Sequence, residues 1–170
     1  MIAYIPVKAS ERLPGKHLMK ICGRPMLDIV REKLSEIGEV VISSKIDLPF
    51  PYKQDNSENI MQLVHELSLK NDSFMLIAGD MPFFTVGDLN VLLSHFSGES
   101  IMPVHKDGKM EPLFAIYSGP LETGSNLRIM LRKSGFVAID SGLFSKRAFF
   151  NVNTQSDLSK ANEICKSQLQ

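Results

Sequence analysis

A chain of 170 residues, 44% hydrophobic and 22% charged, is long enough to bury one substantial core, and we expect a single domain over residues 1–170. Lys+Arg and Asp+Glu balance at 19 each, so bulk charge marks out neither a nucleic-acid nor a membrane partner, and an anionic substrate has to be met by locally placed cations. No apolar run approaches the roughly 20 residues of a bilayer span, and Pro6 breaks the opening apolar run too soon for a signal peptide. Cys22 and Cys165 lie far apart without C-x-x-C spacing, which predicts a cytoplasmic, reducing setting with neither a zinc site nor a disulfide framework.

In chain order, Ile2–Val7 reads as a buried strand, and a loop rich in Pro, Gly and cations follows up to Gly23. Helical periodicity begins near Pro25, and Glu39–Ser43 reads as a second strand. Beyond the Pro49-Phe50-Pro51 break comes a helix with Ile60, Leu63, Val64 and Leu67 on one face, for which Asp55 and Glu58 have capping-box spacing. Ser73–Ala78 is a third apolar run, ending at Gly79-Asp80-Met81-Pro82, and Thr85 with Asp88 caps the helix after it. Ser100–Val104 and Leu113–Tyr117 are strand-like, a helical stretch surrounds Leu121–Leu131, and Thr154 with Asp157 caps a last helix. Alternating strands and helices predict a three-layer α/β/α fold, Rossmann-like, with a mostly parallel sheet and an antiparallel insertion in the second half. Ligands of such sheets sit at the carboxyl ends of strands near a topological switch point, so the loops after the first and third strands are the places to look for chemistry.

The first of these loops carries Lys8, Arg12 and Lys16. Clustered cations suit a triphosphate, whose departing pyrophosphate accumulates charge as the bond breaks; Arg offers a planar fork and Lys a point charge. Pro6, Val7 and Ser10 belong to the same segment, where the hydroxyl and backbone N–H groups add neutral donors. Neither G-x-G-x-x-G nor G-x-x-x-x-G-K-[ST] is present, which disfavours a dinucleotide site and a Walker-type ATPase. Asp80, following an apolar strand, is placed to hold Mg²⁺, which takes one or two carboxylates together with phosphate oxygens and water. Asn151 and Asn153 stand at i and i+2 and would face the same way in an extended segment, where neutral amides can bind an acceptor phosphate. Glu111 reads as a surface residue beside a strand. His17, His65, His95 and His105 show no ligand spacing and read as surface or structural residues.

Five segments resemble known families. Ile5-Pro6-Val7-Lys8-Ala9-Ser10-Glu11-Arg12-Leu13-Pro14-Gly15-Lys16 is close to the form I-P-x-[KR]-x-x-S-x-R-L-P-x-K of the CMP-sugar synthetases, and Gly23-Arg24-Pro25-Met26-Leu27 resembles the G-[KR]-P-[ML]-[LI] motif of sugar-nucleotide-type nucleotidyltransferases. Gly79-Asp80-Met81-Pro82-Phe83 resembles the C-D-M-P-F motif of the molybdenum cofactor guanylyltransferases. Glu111–Tyr117 and Phe149-Phe150-Asn151-Val152-Asn153-Thr154-Gln155-Ser156-Asp157-Leu158 resemble that family's P-L-x-A-[VL]-Y and F-x-N-[VI]-N-T-P-x-[ED]-L segments. The chain departs from it in two places: Pro6, Val7, Lys8 and Ala9 replace most of the glycine-rich L-A-G-G opening, and Asp55-Asn56-Ser57-Glu58 stands where G-P-[LM] is usual.

The resemblance implies an Mg²⁺-dependent nucleotidyltransferase carrying GTP (or CTP) to a phosphorylated small-molecule acceptor, molybdopterin first among them, with release of pyrophosphate. Under it Arg12, Lys16 and Asp80 are the catalytic set. Pro6, Val7, Lys8, Ser10 and Asp55 join Arg12 and Lys16 around the nucleotide, Asp80 holds the metal, and Asn151 and Asn153 meet the acceptor. Cytidylyl transfer, guanylyl transfer to cobinamide phosphate and a non-catalytic nucleotide-binding domain are the alternatives. No nucleic-acid or membrane partner is expected, and weak self-association is compatible with the composition.

Overall fold

Alternate residues of β1 (Ile2–Val7) enter two different cores. Ala3, Ile5 and Val7 point to one face of the sheet and Tyr4 to the other, the period-two pattern of a strand covered on both sides. The computed structural model describes residues 1–168. After β1 come a single 3₁₀ turn at Lys16–Leu18, a small antiparallel hairpin of β2 (Lys20–Ile21) and β3 (Arg24–Pro25), and α1 (Met26–Ser35). Then follow β4 (Val40–Ser44), β5 (Lys53–Gln54), α2 (Ile60–Lys70), β6 (Ser73–Ile77) and α3 (Val86–His95). The second half holds β7 (Ile101–Val104), β8 (Phe114–Ser118), α4 (Leu127–Ser134), β9 (Val137–Asp140) and α5 (Gln155–Gln168).

Seven strands form the main sheet in the order β5-β4-β1-β6-β8-β7-β9, and only the pairings of β8 are antiparallel. β6 and β8 repeat the alternation of β1: Met75, Ile77, Phe114 and Ile116 face one core, while Phe74, Leu76, Ala115 and Tyr117 face the other. Leu27, Val30 and Leu34 of α1 with Leu89 and Leu92 of α3 cover the first face. Leu63, Val64 and Leu67 of α2 with Met130 and Leu131 of α4 cover the second. This is the three-layer, mostly parallel α/β arrangement expected from the sequence. Among the described residues no helix is long and apolar enough to cross a membrane.

Two details differ from expectation in ways that matter locally. The cap of α2 is Asn59, whose side chain accepts from Gln62 N at 3.0 Å, whereas Asp55 turns inward and accepts from Ser57. The helix expected around Leu121 starts only at Leu127: Gly119 takes a left-handed φ of 70°, Pro120 follows, and Asn126 supplies the cap. The strand β9 carries no alternation signal because Val137 and Ala138 are exposed on the sheet edge.

The larger correction concerns the cysteines. Cys22 and Cys165 form a disulfide across a Cα–Cα distance of 5.5 Å, joining the β2–β3 turn to α5 over 143 positions of sequence. Spacing gave no hint because the two meet only after Ile21, Met26, Val152 and Ala161 have packed α5 against the hairpin in a third small core. Cysteine usage therefore no longer argues for a reducing compartment.

The Thr85–Asp88 capping box is present, and its acid does more than cap. Asp88 Oδ2 accepts from Thr85 N (2.7 Å), Thr85 Oγ1 (2.9 Å) and Ser145 Oγ (2.7 Å), and Oδ1 accepts from Ser145 N (2.6 Å). Burial pushes this carboxyl up, but the bonds from Ser145 and Thr85 outweigh it and hold the group below its ordinary value of 3.8. Its contribution is thus fully present above that value and fades as pH falls through the lower folded value. Asp88→Ala is expected to lower stability by about 2 kcal/mol, and Asp88→Asn to flatten the acid limb of a Tm-against-pH curve. An acid limb unchanged by Asp88→Asn would mean that other carboxylates carry it.

Candidate active site

β1 lies between β4 and β6, so the chain winds off in opposite directions from its carboxyl end, and the loops after β1 and β6 open at the same edge. A cleft of about 750 Å³ lies there, running from the Asp55–Met61 segment beside β4 and β5, past β1, to Asp80, Leu113 and Asn153. Strands about 4.8 Å apart put its two ends roughly 14 Å from one another, close to the length of an extended nucleoside triphosphate.

The centre of charge is a three-way contact. Lys16 Nζ donates to Asp80 Oδ2 at 2.5 Å and to Asn153 Oδ1 at 3.0 Å, with the two ionic side chains only 10% and 15% accessible. Each partner is held by its own device. Gly15, at φ 69°, turns the chain into the 3₁₀ turn that aims Lys16 inward. Val152 N donates to Asp80 O at 2.9 Å, which ties the Asn151–Asn153 segment to the end of β6. Lys33 reaches from α1 to donate to Pro82 O (2.6 Å) and Phe84 O (2.7 Å), with its ammonium 5.3 Å from the Phe84 ring centre. Burial holds the Lys33 ammonium below its usual value. Gly79 is closely packed: a Cβ there would stand 3.1 Å from Ile5 Cγ2 and 3.3 Å from both Leu27 Cδ1 and His17 Nδ1, so these side chains would have to give by a few tenths of an ångström.

Of the residues singled out from sequence, Pro6, Val7, Lys8, Ser10, Arg12, Lys16, Asp55, Asp80 and Asn153 all line the cleft. Lys8 and Arg12 are exposed and enter none of the ion pairs among the described residues. Ser10 Oγ accepts from Leu13 N at 3.3 Å and shapes the loop. Asp55 is committed internally: it accepts from Ser57 N (2.9 Å) and Ser57 Oγ (2.5 Å) and stands 3.7 Å from Lys45 Nζ. Asn151 does not line the cleft. Its amide donates to Phe149 O at 3.0 Å instead.

Sequence reasoning passed over His17, Lys45 and the Asn59–Met61 shelf, all of which line the cleft. Ile60 carries only the helical period and the others carry no motif signal; adjacency to Lys16 was the one available pointer to His17. That ring is 5% exposed, burial and then the Lys16 charge push its pKa below 6.5, and Asp80 pulls weakly the other way. Glu111 is buried rather than on the surface, with His105 Nε2 at 2.9 Å and Lys109 Nζ at 2.7 Å as its partners beneath the β7–β8 loop.

Two buried polar atoms have no partner among the described residues, Asp80 Oδ1 and His17 Nδ1. An orphaned carboxylate oxygen in a cleft that Lys8, Arg12 and Lys16 also line fits a hard divalent cation, with phosphate oxygens and water completing its shell. Among the described residues no three His, Cys, Asp or Glu side chains gather, so such an ion would rest on Asp80 and the substrate rather than on a cage of side chains. The arrangement as a whole can bind a polyphosphate, balance charge on its leaving portion, and place a second anion beside Asn153.

Residues 9–135 match the model of the MobA-like NTP transferase domain. The chain belongs to that family. As a MobA-like transferase it is a nucleotidyltransferase, and its likeness to relatives runs in two directions. It is 27% identical over 189 residues to the "Probable molybdenum cofactor guanylyltransferase" of Natranaerobius thermophilus, covering 91% of each chain. It is 26% identical over 117 residues to the 3-deoxy-manno-octulosonate cytidylyltransferase of Saccharophagus degradans, covering 58% of this chain and 46% of that one. In three dimensions it superposes on molybdopterin-guanine dinucleotide biosynthesis protein A of Archaeoglobus fulgidus with a TM-score of 0.74 at 21% identity, over 96% and 99% of the two chains, a likeness of fold.

Proposed function

We propose that this MobA-like transferase moves a guanylyl group from GTP to the phosphate of a molybdopterin-type acceptor, releasing pyrophosphate, with Mg²⁺ on Asp80. The observation that carries the reading is the Lys16–Asp80–Asn153 contact at the junction of the β1 loop and the end of β6. It puts a buried cation, a carboxylate with one free oxygen and a neutral amide at one point of a nucleotide-sized cleft. Guanylyl chemistry is favoured because likeness to a guanylyltransferase runs over nine-tenths of the chain, including the Asn153 segment.

In this reading Lys8 and Arg12 take the outer phosphates from the exposed loop, and Lys16 moves from Asp80 towards the oxygens on which charge develops. Asp80 would hold Mg²⁺, which would supply Lewis-acid charge to the substrate phosphates. Asn153 orients the acceptor without adding negative charge, so that it can approach the α-phosphorus in line. The neutral His17 ring fills the space under Gly79 and keeps the loop rigid. No nucleophilic side chain is required, since positioning and charge stabilisation account for the catalysis.

Cytidylyl transfer is the second reading, supported by the Ile5–Lys16 segment and by the partial likeness to a cytidylyltransferase. A thermal-shift titration with GTP, CTP, ATP and UTP, each with Mg²⁺, separates them. We expect stabilisation by GTP above the others, by about 2.7 kcal/mol at a hundred times Kd. Stabilisation confined to CTP would overturn the guanylyl reading in favour of the second. Binding without pyrophosphate release, whatever the acceptor offered, would leave a nucleotide-binding domain.

A further inference from the structure

The disulfide joins two elements that both lead, along the chain, into the Lys16–Asp80–Asn153 contact. Cys22 occupies the first central position of the β2–β3 turn with a left-handed φ of 54°, followed by Gly23 at 77°, a turn in which Asn, Asp or Gly is the ordinary occupant of that position. It is exposed, whereas Cys165 on α5 is 5% exposed. A second clasp runs beside the bond: Asn162 of α5 accepts from Cys22 N at 3.4 Å and donates to Lys20 O at 3.3 Å. The small core under this seam contains Leu13 from the cationic loop and Val152 from the asparagine segment. Val152 in turn donates to Asp80 O, and its neighbour Asn153 holds Lys16.

We propose that the Cys22–Cys165 bond is a reversible thiol–disulfide latch that positions Asn153 beside Lys16 and Asp80, closing the acceptor side of the cleft when oxidised and loosening it when reduced. The exposed hairpin is the point of entry. A small-molecule thiolate attacks the Cys22 sulfur and Cys165 leaves as a thiolate. A second thiolate then resolves the mixed disulfide, so that two thiols become one small-molecule disulfide and both cysteines are reduced. Oxidation is the same exchange in reverse, with the small-molecule disulfide as oxidant. The effect is local because β1, β4 and β6 are held by their own ladders and by cores on both faces. Among the described residues, 151–165 keep the third small core, the Asn162 clasp, Val152 N and the Lys16–Asn153 bond to hold them once the disulfide is open, with no sheet ladder of their own. The proposal goes beyond the nucleotide assignment and needs only the cleft geometry.

The test is hydrogen exchange on the full chain equilibrated with glutathione disulfide or with dithiothreitol, alongside iodoacetamide labelling read by mass. In the oxidised protein neither cysteine should label, and the Val152 amide and those of α5 should be protected. After reduction both should label, and these amides should exchange about tenfold faster or more, while those of β1 and β6 stay unchanged. Glutathione disulfide should restore the slow pattern. Cys22→Ser, at an exposed position, should show the fast pattern in either buffer, and Asn162→Ala should reach it more readily on partial reduction. Where an NTP is turned over, reduction should lower kcat about fivefold or more with KM for the nucleotide within about twofold, because Lys8 and Arg12 keep their place. Full labelling in glutathione disulfide would show that no bond forms and would overturn the proposal. So would an exchange pattern indifferent to reduction, or one that rises equally in β1 and β6, which would make the bond a global staple. The exchange arm requires no nucleotide, so failure of the guanylyl reading and failure of the latch are told apart.

Discussion

Asp80→Asn is expected to lower kcat about a thousandfold, ~4 kcal/mol of transition-state stabilisation, while the protein stays folded. The amide keeps an oxygen that can accept from Lys16 Nζ, and Val152 N still donates to the backbone carbonyl of residue 80, so the local frame is preserved. What is lost is the charge of the carboxylate whose second oxygen, Oδ1, is buried without a partner. Under the proposed role that oxygen carries the cation, so Mn²⁺ binding followed by proton relaxation should weaken together with turnover. A variant with full turnover and undiminished Mn²⁺ affinity would remove Asp80 from the metal site. Asp80→Ala is the less clean choice, since it strips Lys16 of its acceptor as well.

Lys16→Met is expected to have the second large effect, and a different signature. Its ammonium stands at the inner end of the cationic loop, within 2.5 Å of Asp80 and 3.0 Å of Asn153. Under the proposed role, removing it withdraws the charge that balances the departing pyrophosphate, so kcat/KM for the nucleotide should fall about a thousandfold, ~4 kcal/mol. Removing it also leaves a mostly buried carboxylate unpaired, and stability should drop by about 1–3 kcal/mol. The two variants should therefore be strongly non-additive. Lys16→Met with Asp80→Asn should recover much of the lost stability, since no uncompensated charge then remains in the site. Additive stability losses in that cycle would show that the pair is not coupled in solution. Lys16→Arg should not rescue turnover, because a guanidinium fork does not fit where one compact ammonium makes both contacts in a site 10% accessible.

The fold was largely legible because its signals are local. Ile2–Val7 and Ser73–Ile77 are short apolar runs bounded by breakers, and strands buried on both faces read as continuous runs. Thr85 and Asp88 stand three residues apart before an apolar face, and the helix they cap is where the spacing put it. Elements whose stability comes from distant neighbours were not legible. β9 has an exposed face and is held by pairing with β7, and β5 is two residues laid beside β4. Glu111 looked like a surface acid because nothing in Lys109-Met110-Glu111 announces that His105 and Lys109 fold over it. Asp55 and Glu58 had the spacing of a cap, but Ser57 and Lys45 claimed Asp55 first, and Asn59 took the helix.

The sequence by itself determined which chemistry-bearing groups exist and at which strand ends they lie: a cationic loop after β1, an acid after β6, and an asparagine segment before the last helix. These follow from residue order and hydrophobic period, both of which survive in a linear string. The tertiary structure alone decided which groups meet. Lys16 closes on Asp80 and Asn153 rather than pointing outward with Lys8 and Arg12, Asn151 turns away, and His17 fills the space that Gly79 vacates. It also brought Cys22 and Cys165 within bonding reach. The physical reason is common to all of these. Through-space partners are selected by how helices and strands pack, and between residues 64, 137 or 143 positions apart no local propensity records that choice.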